Sequence, residues 1–441
     1  MTDTTISMPA DGGDGRRAPT DGGDGRRAPT DGGDGRPGVA MLGGVFGRLW
    51  TAAVVSRLGD ALRNPALALL AASVTRDPRA IAAVVVAGQL PPLLFGLLGG
   101  VYADRWDRRR TMAASDALRA ALVGGFALLV ATSEVHVAVL AGCAFLLAAL
   151  GTLFDAAAFA MLPALVPADR LAVANGRLQA GTAVAGGLVG APLAGVLFAV
   201  GAAVPFAVDA VTFAVAALLA LTLRPTVGSL RPPASRTPDS ATARRRVAWR
   251  AAGDGLRWIW RDRTLRRITL LSMVTNIAIS GLIAVIVLYA LDVLKVPTTG
   301  YGLFMSAALF GALGGGLLSG RIAARLGTLP GLRWVLVAET LAVATLAVAR
   351  HPVPGAIALA VFSAGTASWN ALSSAYGQRN VPAEMLGRVG SAQRTAGLLA
   401  APVGAVGAGF LGSAAGLPPV LYAAAAVFAV VTLSSWRALR S

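Results

Sequence analysis

The sequence predicts an all-α polytopic membrane protein, with twelve transmembrane helices in two pseudo-symmetric six-helix bundles. Three observations carry this expectation. Apolar residues make up 55% of the 441 and charged ones only 14%, with a mean hydropathy of +0.66, whereas a soluble domain carries about 25% charge. From residue 48 onward the chain runs as apolar stretches of about 20 residues, the length a helix needs to cross a bilayer. Short segments of the first half also recur in the second at nearly constant spacing.

Taken in order, residues 1–44 read as a disordered, low-complexity cytoplasmic tail. DGGDGRRAPT occupies 11–20 and again 21–30, and DGGDGR follows at 31–36. Such a segment has almost nothing apolar to bury. It lacks the apolar core of a signal peptide, and its aspartates do not have calcium-loop spacing. Apolar runs follow near 49–73, 80–102, 112–132, 136–159, 175–199 and 204–223, giving an N-terminal bundle over 45–223. Arg57, Asp60 and Arg63 interrupt the first run and make it the weakest. Residues 224–267 form a basic cytoplasmic linker with twelve arginines and three aspartates. Its later part, Arg244 to Arg267, reads as an amphipathic helix carrying Trp249, Trp258 and Trp260, suited to a membrane surface. Runs near 268–291, 302–320, 333–349, 354–376, 389–412 and 418–436 complete a C-terminal bundle over 268–441.

The charge distribution sets the orientation. With both termini inside, the inner loops and adjoining helix ends hold twelve arginines, and the outer ones hold only Arg76, Arg79, Lys295 and Arg350. That is a positive-inside pattern. The net charge of +17 becomes +19 for the membrane body, since residues 1–40 contribute five arginines and seven aspartates. The excess therefore reports topology and contact with anionic lipid, and it argues against nucleic acid as a partner.

The duplication rests on three ordered matches. GGVYADR at 99–105 pairs with GGLLSGR at 315–321, and VPAD at 166–169 pairs with VPAE at 381–384. Gly176-Arg177 followed by Ala191-Pro192 pairs with Gly387-Arg388 followed by Ala401-Pro402, again at offsets of 210–216. Equivalent segments on equivalent loops imply two homologous halves.

Enzymatic and metal chemistry lack their usual residues. Cys143 is the sole cysteine, His136 and His351 are the only histidines, and Lys295, the single lysine, has no glycine before it. Multi-thiolate zinc sites, HExxH and the GxxxxGK phosphate loop are thereby excluded. A GxGxxG at Gly407, Gly409 and Gly412 sits in an apolar helical run, where close helix packing accounts for it. No metal, no cofactor and no enzymatic activity are expected, and an ion gradient is the expected energy source.

After the second run comes Gly100-Val-Tyr-Ala-Asp104-Arg105-Trp-Asp107-Arg108-Arg109-Arg110. This segment resembles the signature loop of the major facilitator superfamily, G-x-x-x-D-R-x-G-x-R-R, with Asp107 in place of the usual glycine. The wider text, including QLPPLLFGLLGGVYADRWDRRR and LVPADRLAVANGRLQ, is similar to the drug- and siderophore-exporting branch that contains macrolide efflux pumps and enterobactin exporters. The resemblance implies a charge-relay latch in this loop, with Asp104 capping a facing helix and the arginines pairing with acidic groups and lipid phosphates. A topology-setting basic loop is the alternative. Gly187, Gly190, Pro192 and Gly195 in the fifth run resemble the family's antiporter motif imperfectly. There a coupling element and a plain packing seam stand as equals.

Charges inside the apolar runs are costly, at about 2.5–3.5 kcal/mol each on insertion scales, so they point to function. Arg57, Asp60 and Arg63 lie three apart on one helix stripe. Asp60 is the first candidate for proton coupling or for engaging a cationic group, and a structural salt bridge with the flanking arginines is the equal alternative. Asp155, Asp209 and Glu339 are further candidates, and Asp116 with Arg119 reads as a structural pair. Gln89, Asn276, Trp369 and Asn370 are candidate cavity-lining residues. The expected protein is a monomeric, multi-pass transporter of a bacterial plasma membrane. It would export a small amphiphilic compound, an antibiotic, drug or siderophore, in exchange for protons and by alternating access. An importer of the same fold, or a non-transporting receptor or scaffold, stays open as an alternative.

Overall fold

A chain crossing hydrocarbon must satisfy its backbone hydrogen bonds within itself, and an unbroken helix does so. The computed structural model describes residues 44–103, 107–132, 134–166, 170–223 and 253–439, with side chains excepted at 95–103, 159–160, 163–164, 172 and 383. The repeats at the N-terminus and most of the linker fall outside this range. The first half comprises α1 (Gly44–Val74), α2 (Pro78–Ala103), α3 (Arg108–Ala131), α4 (Val137–Leu165), α5 (Leu171–Ala183), α6 (Ala191–Val200) and α7 (Val204–Leu221). A short α8 (253–261) leads into α9 (Arg263–Leu288), and α10 (Thr298–Leu326), α11 (Thr328–Val348), α12 (Pro352–Asn380), α13 (Ala383–Ala415) and α14 (Leu417–Ala438) follow.

Among the described residues, ten helices are long and apolar enough to cross a membrane. The other two spans pack among them. No 18-residue stretch of the 31-residue α1 has fewer than three charged side chains, and α2 is 26 residues long. The fifth span is continuous from α5 to α6 through a wide π-helical turn at Val184–Gly190. Pro192 has no N–H to give, and its ring crowds the carbonyl one turn back. The wide turn absorbs that mismatch, with the Ala191 N–H donating to the Gly186 carbonyl.

The expected two-fold relation is visible in the packing. Glycine brings backbones into contact at two equivalent seams between the halves. At one, Gly195 faces the Thr298 and Thr299 carbonyls at the start of α10, and Gly302 faces the Ala191 carbonyl. At the other, Gly409 faces Pro78 and Arg79 at the start of α2, with Ala82 beside it. The GxGxxG of α13 is thus a helix-packing element. Both seams lie toward the end opposite the termini, where Arg76 also pairs with Asp292 at 2.9 Å and Arg79 donates to Ser413 at 2.9 Å.

The cores follow the same division. One apolar core joins both halves at the end opposite the termini, running through Leu70, Phe126, Phe206, Tyr289, Phe304 and Phe428. At the terminal end the core parts into two. Phe46, Met112 and Met161 belong to one half, and Ile268, Leu336 and Trp369 to the other. The described helices thus share one core at one end and divide at the other.

Each half is also tied at its own terminal end. The Arg48 guanidinium donates to the Thr222 carbonyl past the end of α7 at 3.2 Å, and Arg267 donates to the Ala438 carbonyl of α14 at 2.7 Å. A cation at a helix C-terminus satisfies orphan carbonyls and opposes the helix dipole. Arg48→Ala and Arg267→Ala should each lower stability by about 0.3–1 kcal/mol, and roughly additively, because the sites share no partner. Thermal unfolding of the single and double variants in detergent checks this.

The described part of the linker helix packs one face on the protein. Ile259 of α8 is buried against Leu265, Val381 and Val389, and Asp254 bridges Arg257 at 3.0 Å and Arg388 at 3.3 Å. Only the Leu256 and Trp260 face stays exposed.

Candidate functional site

The division of the cores leaves a cavity of about 740 Å³, walled by α1, α2, α4 and α5 and roofed by Ile283, Val287 and Tyr301 of the second half. The helical period of α1 turns Ser56, Arg57, Asp60, Arg63, Asn64 and Leu67 onto this wall. Gln89 of α2, Asp155 of α4, and Asn175, Gln179 and Thr182 of α5 add the polar lining. Apolar wall comes from Ile81, Val84, Val85, Leu147 and Phe154.

Behind the wall the three charges of α1 enter a wider ion-pair network. Arg63 and Arg119 both donate to Asp60 Oδ1, the latter at 2.6 Å, and Arg57 approaches Asp60 Oδ2 at 3.6 Å. Arg63 Nε lies 2.9 Å from Asp209 Oδ2, and Arg119 Nη1 lies 3.2 Å from Asp116 Oδ1. The Arg119 guanidinium also stacks 3.9 Å from the centre of the Phe213 ring, a cation–π contact. Asp60, Arg63, Asp116, Arg119 and Asp209 are all buried. Such charges persist in a low dielectric only when paired and hydrogen-bonded. Asp60 is the hub of this network and ties α1 to α3, while Arg63 ties α1 to α7.

Arg57 and Asp155 form the exposed edge of this network. Their side chains are 48% and 63% exposed in the cavity, and they meet across α1 and α4 at 3.5 Å, beyond hydrogen-bond length.

The remaining sequence candidates divide. Gln89 lines the cavity. Asn276, Trp369 and Asn370 do not. Asn276 donates to the Ser272 carbonyl on its own helix at 2.8 Å, Trp369 Nε1 donates to Ser272 Oγ at 2.9 Å, and Asn370 is exposed. Asp209 is buried behind Arg63 and does not line the cavity. Glu339 on α11 is likewise away from it, buried against Gly365 and accepting from the Thr366 hydroxyl at 2.8 Å. Gly187 lies against the Leu309 side chain of α10, and Gly190 against the Leu58 carbonyl and the Ala61 side chain of α1. With Gly195 they form a seam of close packing around Pro192.

In the loop after α2, Gly100 lies within α2, and Asp104 and Arg105 fall outside the described residues. Asp107, which departs from the family pattern, caps α3 by accepting from the Arg109 and Arg110 backbone N–H groups. Arg108 opens α3, Arg109 donates to the Leu221 carbonyl at the end of α7, and Arg110 is exposed 3.9 Å from Asp107. Asp116 and Arg119 form the local pair expected from their spacing, and Arg119 in addition reaches Asp60. The available signal was the same i, i+3 Asp–Arg spacing on both α1 and α3.

The comparisons with known proteins fit this architecture. A stretch of 133 residues is 32% identical to an uncharacterized MFS-type transporter of Mycobacterium tuberculosis, and equally to one of Mycobacterium bovis. That match spans 30% of this chain and only 30% of each relative. Among solved structures, the nucleoside transporter NupG (D323A mutant) superposes with a TM-score of 0.74 at 12% identity, over 90% of this chain and 100% of that one. A bacterial homologue of the iron transporter ferroportin in an inward-facing state gives 0.71 at 15% identity, over 90% and 99%. At these identities the likeness concerns the fold. Residues 49–405 match the Major Facilitator Superfamily, and the chain belongs to that family.

Proposed function

We propose that this transporter exports a small amphiphilic compound, of the antibiotic, drug or siderophore kind, in exchange for protons. The observation that carries the reading is the cavity itself, sealed opposite the termini by two symmetric seams and holding one well-exposed carboxylate, Asp155, in its wall. Alternating access needs two packings of the halves about one site, with each ligand favouring one of them. The export direction leans on the likeness to the drug- and siderophore-exporting branch, and the basic loops favour cytoplasmic termini in a bacterial plasma membrane.

Within this reading the carboxylates have separate roles. Asp60, held by Arg63 and Arg119, is a fixed anion that keeps α1 in register with α3. Asp155, with a single contact at 3.5 Å, is the group free to exchange a proton. Protonation there removes the attraction between α1 and α4 at Arg57 and so biases one facing over the other. The basic loop around Arg108–Arg110 serves as a latch at the terminal end.

Everted vesicles test the scheme. An imposed pH gradient, acid inside, should drive accumulation of amphiphilic compounds, a labelled macrolide among them, and Asp155→Asn should abolish it by about tenfold or more. Glu339→Gln keeps an acceptor for the Thr366 hydroxyl and should leave transport within about twofold of wild type. Absence of gradient-driven accumulation overturns the export reading. Full activity in Asp155→Asn with loss in Glu339→Gln moves the coupling to the second half.

A further inference from the structure

We infer that the cavity is built for a zwitterionic amphiphile, one carrying a carboxylate and an ammonium beside an apolar body. The inference rests on the transporter reading above and names its substrate class. The argument starts from which charges have interaction capacity left. Asp60 Oδ1 already accepts from two arginines, Asp209 faces Arg63, and Asp116 faces Arg119. Asp60, Arg63 and Arg119 also border the volume but are buried in these contacts, whereas Arg57 and Asp155, on opposite helices of its wall, are well exposed to it.

Their mutual contact at 3.5 Å and the Arg57–Asp60 contact at 3.6 Å are both longer than hydrogen bonds. A bound molecule that replaced them with direct charge-assisted hydrogen bonds would gain at both ends. Arg57 presents a planar fork matched to a carboxylate, and Asp155 accepts from an ammonium. A singly charged molecule does less well. An anion on Arg57 strands Asp155, for which no second cation lies within 4 Å among the described residues. A cation on Asp155 leaves Arg57 with only its long approach to Asp60. Leaving one charge of a pair without its partner is the costly outcome. Ile81, Val84, Leu147, Ile283 and Val287 then receive the apolar body.

Three peptides of one body separate the possibilities: Phe-Leu as the zwitterion, Phe-Leu amide as the cation and N-acetyl-Phe-Leu as the anion. Titration calorimetry on the purified full chain, with no gradient present, should show Phe-Leu bound about tenfold or more tighter than either relative. Arg57→Gln should erase its advantage over the amide, and Asp155→Asn its advantage over the acetylated peptide. Equal affinity for the three, binding of none, or an undiminished preference in both variants overturns the inference. Because binding is read without a gradient, a lost charge preference with intact gradient-driven transport sinks this inference alone. A clear preference with no transport sinks the transporter reading.

Discussion

Asp60→Asn is expected to lower folding stability by about 3–5 kcal/mol, the range for removing one partner of a buried ion pair. Asparagine keeps the volume and one acceptor but removes the charge on which Arg63 and Arg119 converge. Both arginines are buried, at 7% and 3% exposure, so water cannot replace the lost anion. Asp209 and Asp116 each stay beside one arginine, which limits the loss without cancelling it. The exposed Asp155 provides the internal control. Asp155→Asn should change stability by no more than about 0.5 kcal/mol, as an exposed substitution does. Thermal unfolding in detergent reads both. Equal melting temperatures for Asp60→Asn and wild type would show that Asp60 is not the structural hub.

Gly302→Leu should have the second large effect, on transport more than on folding. Any side chain at Gly302 meets the Ala191 carbonyl, and the Gly195 nitrogen is 3.2 Å from its Cβ position. The seam between α10 and the fifth span therefore cannot close as it does in this structure. Overpacking of this kind costs about 1–3 kcal/mol, and here the cost falls only on the facing sealed opposite the termini. A penalty of that size shifts the balance between facings by about 5- to 150-fold. Turnover should fall by a comparable factor while the melting temperature changes little, because the opposite facing avoids the clash. Gly409→Leu should act the same way through Pro78 and Arg79 at the other seam.

Much of the fold was legible because bilayer thickness imposes a length on every apolar run. The duplication was legible as well, and the two glycine seams show its physical basis, since α6 packs on the start of α10 as α13 packs on the start of α2. The stripe of Arg57, Asp60 and Arg63 could be read from its three-residue spacing alone. Its partners could not. Arg119, Asp155 and Asp209 come from three other helices, and nothing in their local sequence reports which helix faces α1. Polar residues misled for a different reason. Asn276 is satisfied by a carbonyl one turn back on its own helix, so its presence in an apolar run carries no information about a cavity. The π-helical turn was equally hidden, because Pro192 signals a break without fixing how the register is absorbed.

The central claim is that the cavity opens alternately to the two sides about a fixed site. Cys143 is buried and is the only cysteine, so a Cys143→Ser background with Thr152→Cys places one reactive thiol on the cavity wall. A membrane-impermeant maleimide is then applied from either side of oriented membranes, with and without Gly302→Leu. The account predicts labelling mainly from the side of the termini in the parent, and a shift to the opposite side when Gly302→Leu is added. Labelling from the side of the termini alone in both proteins would contradict it.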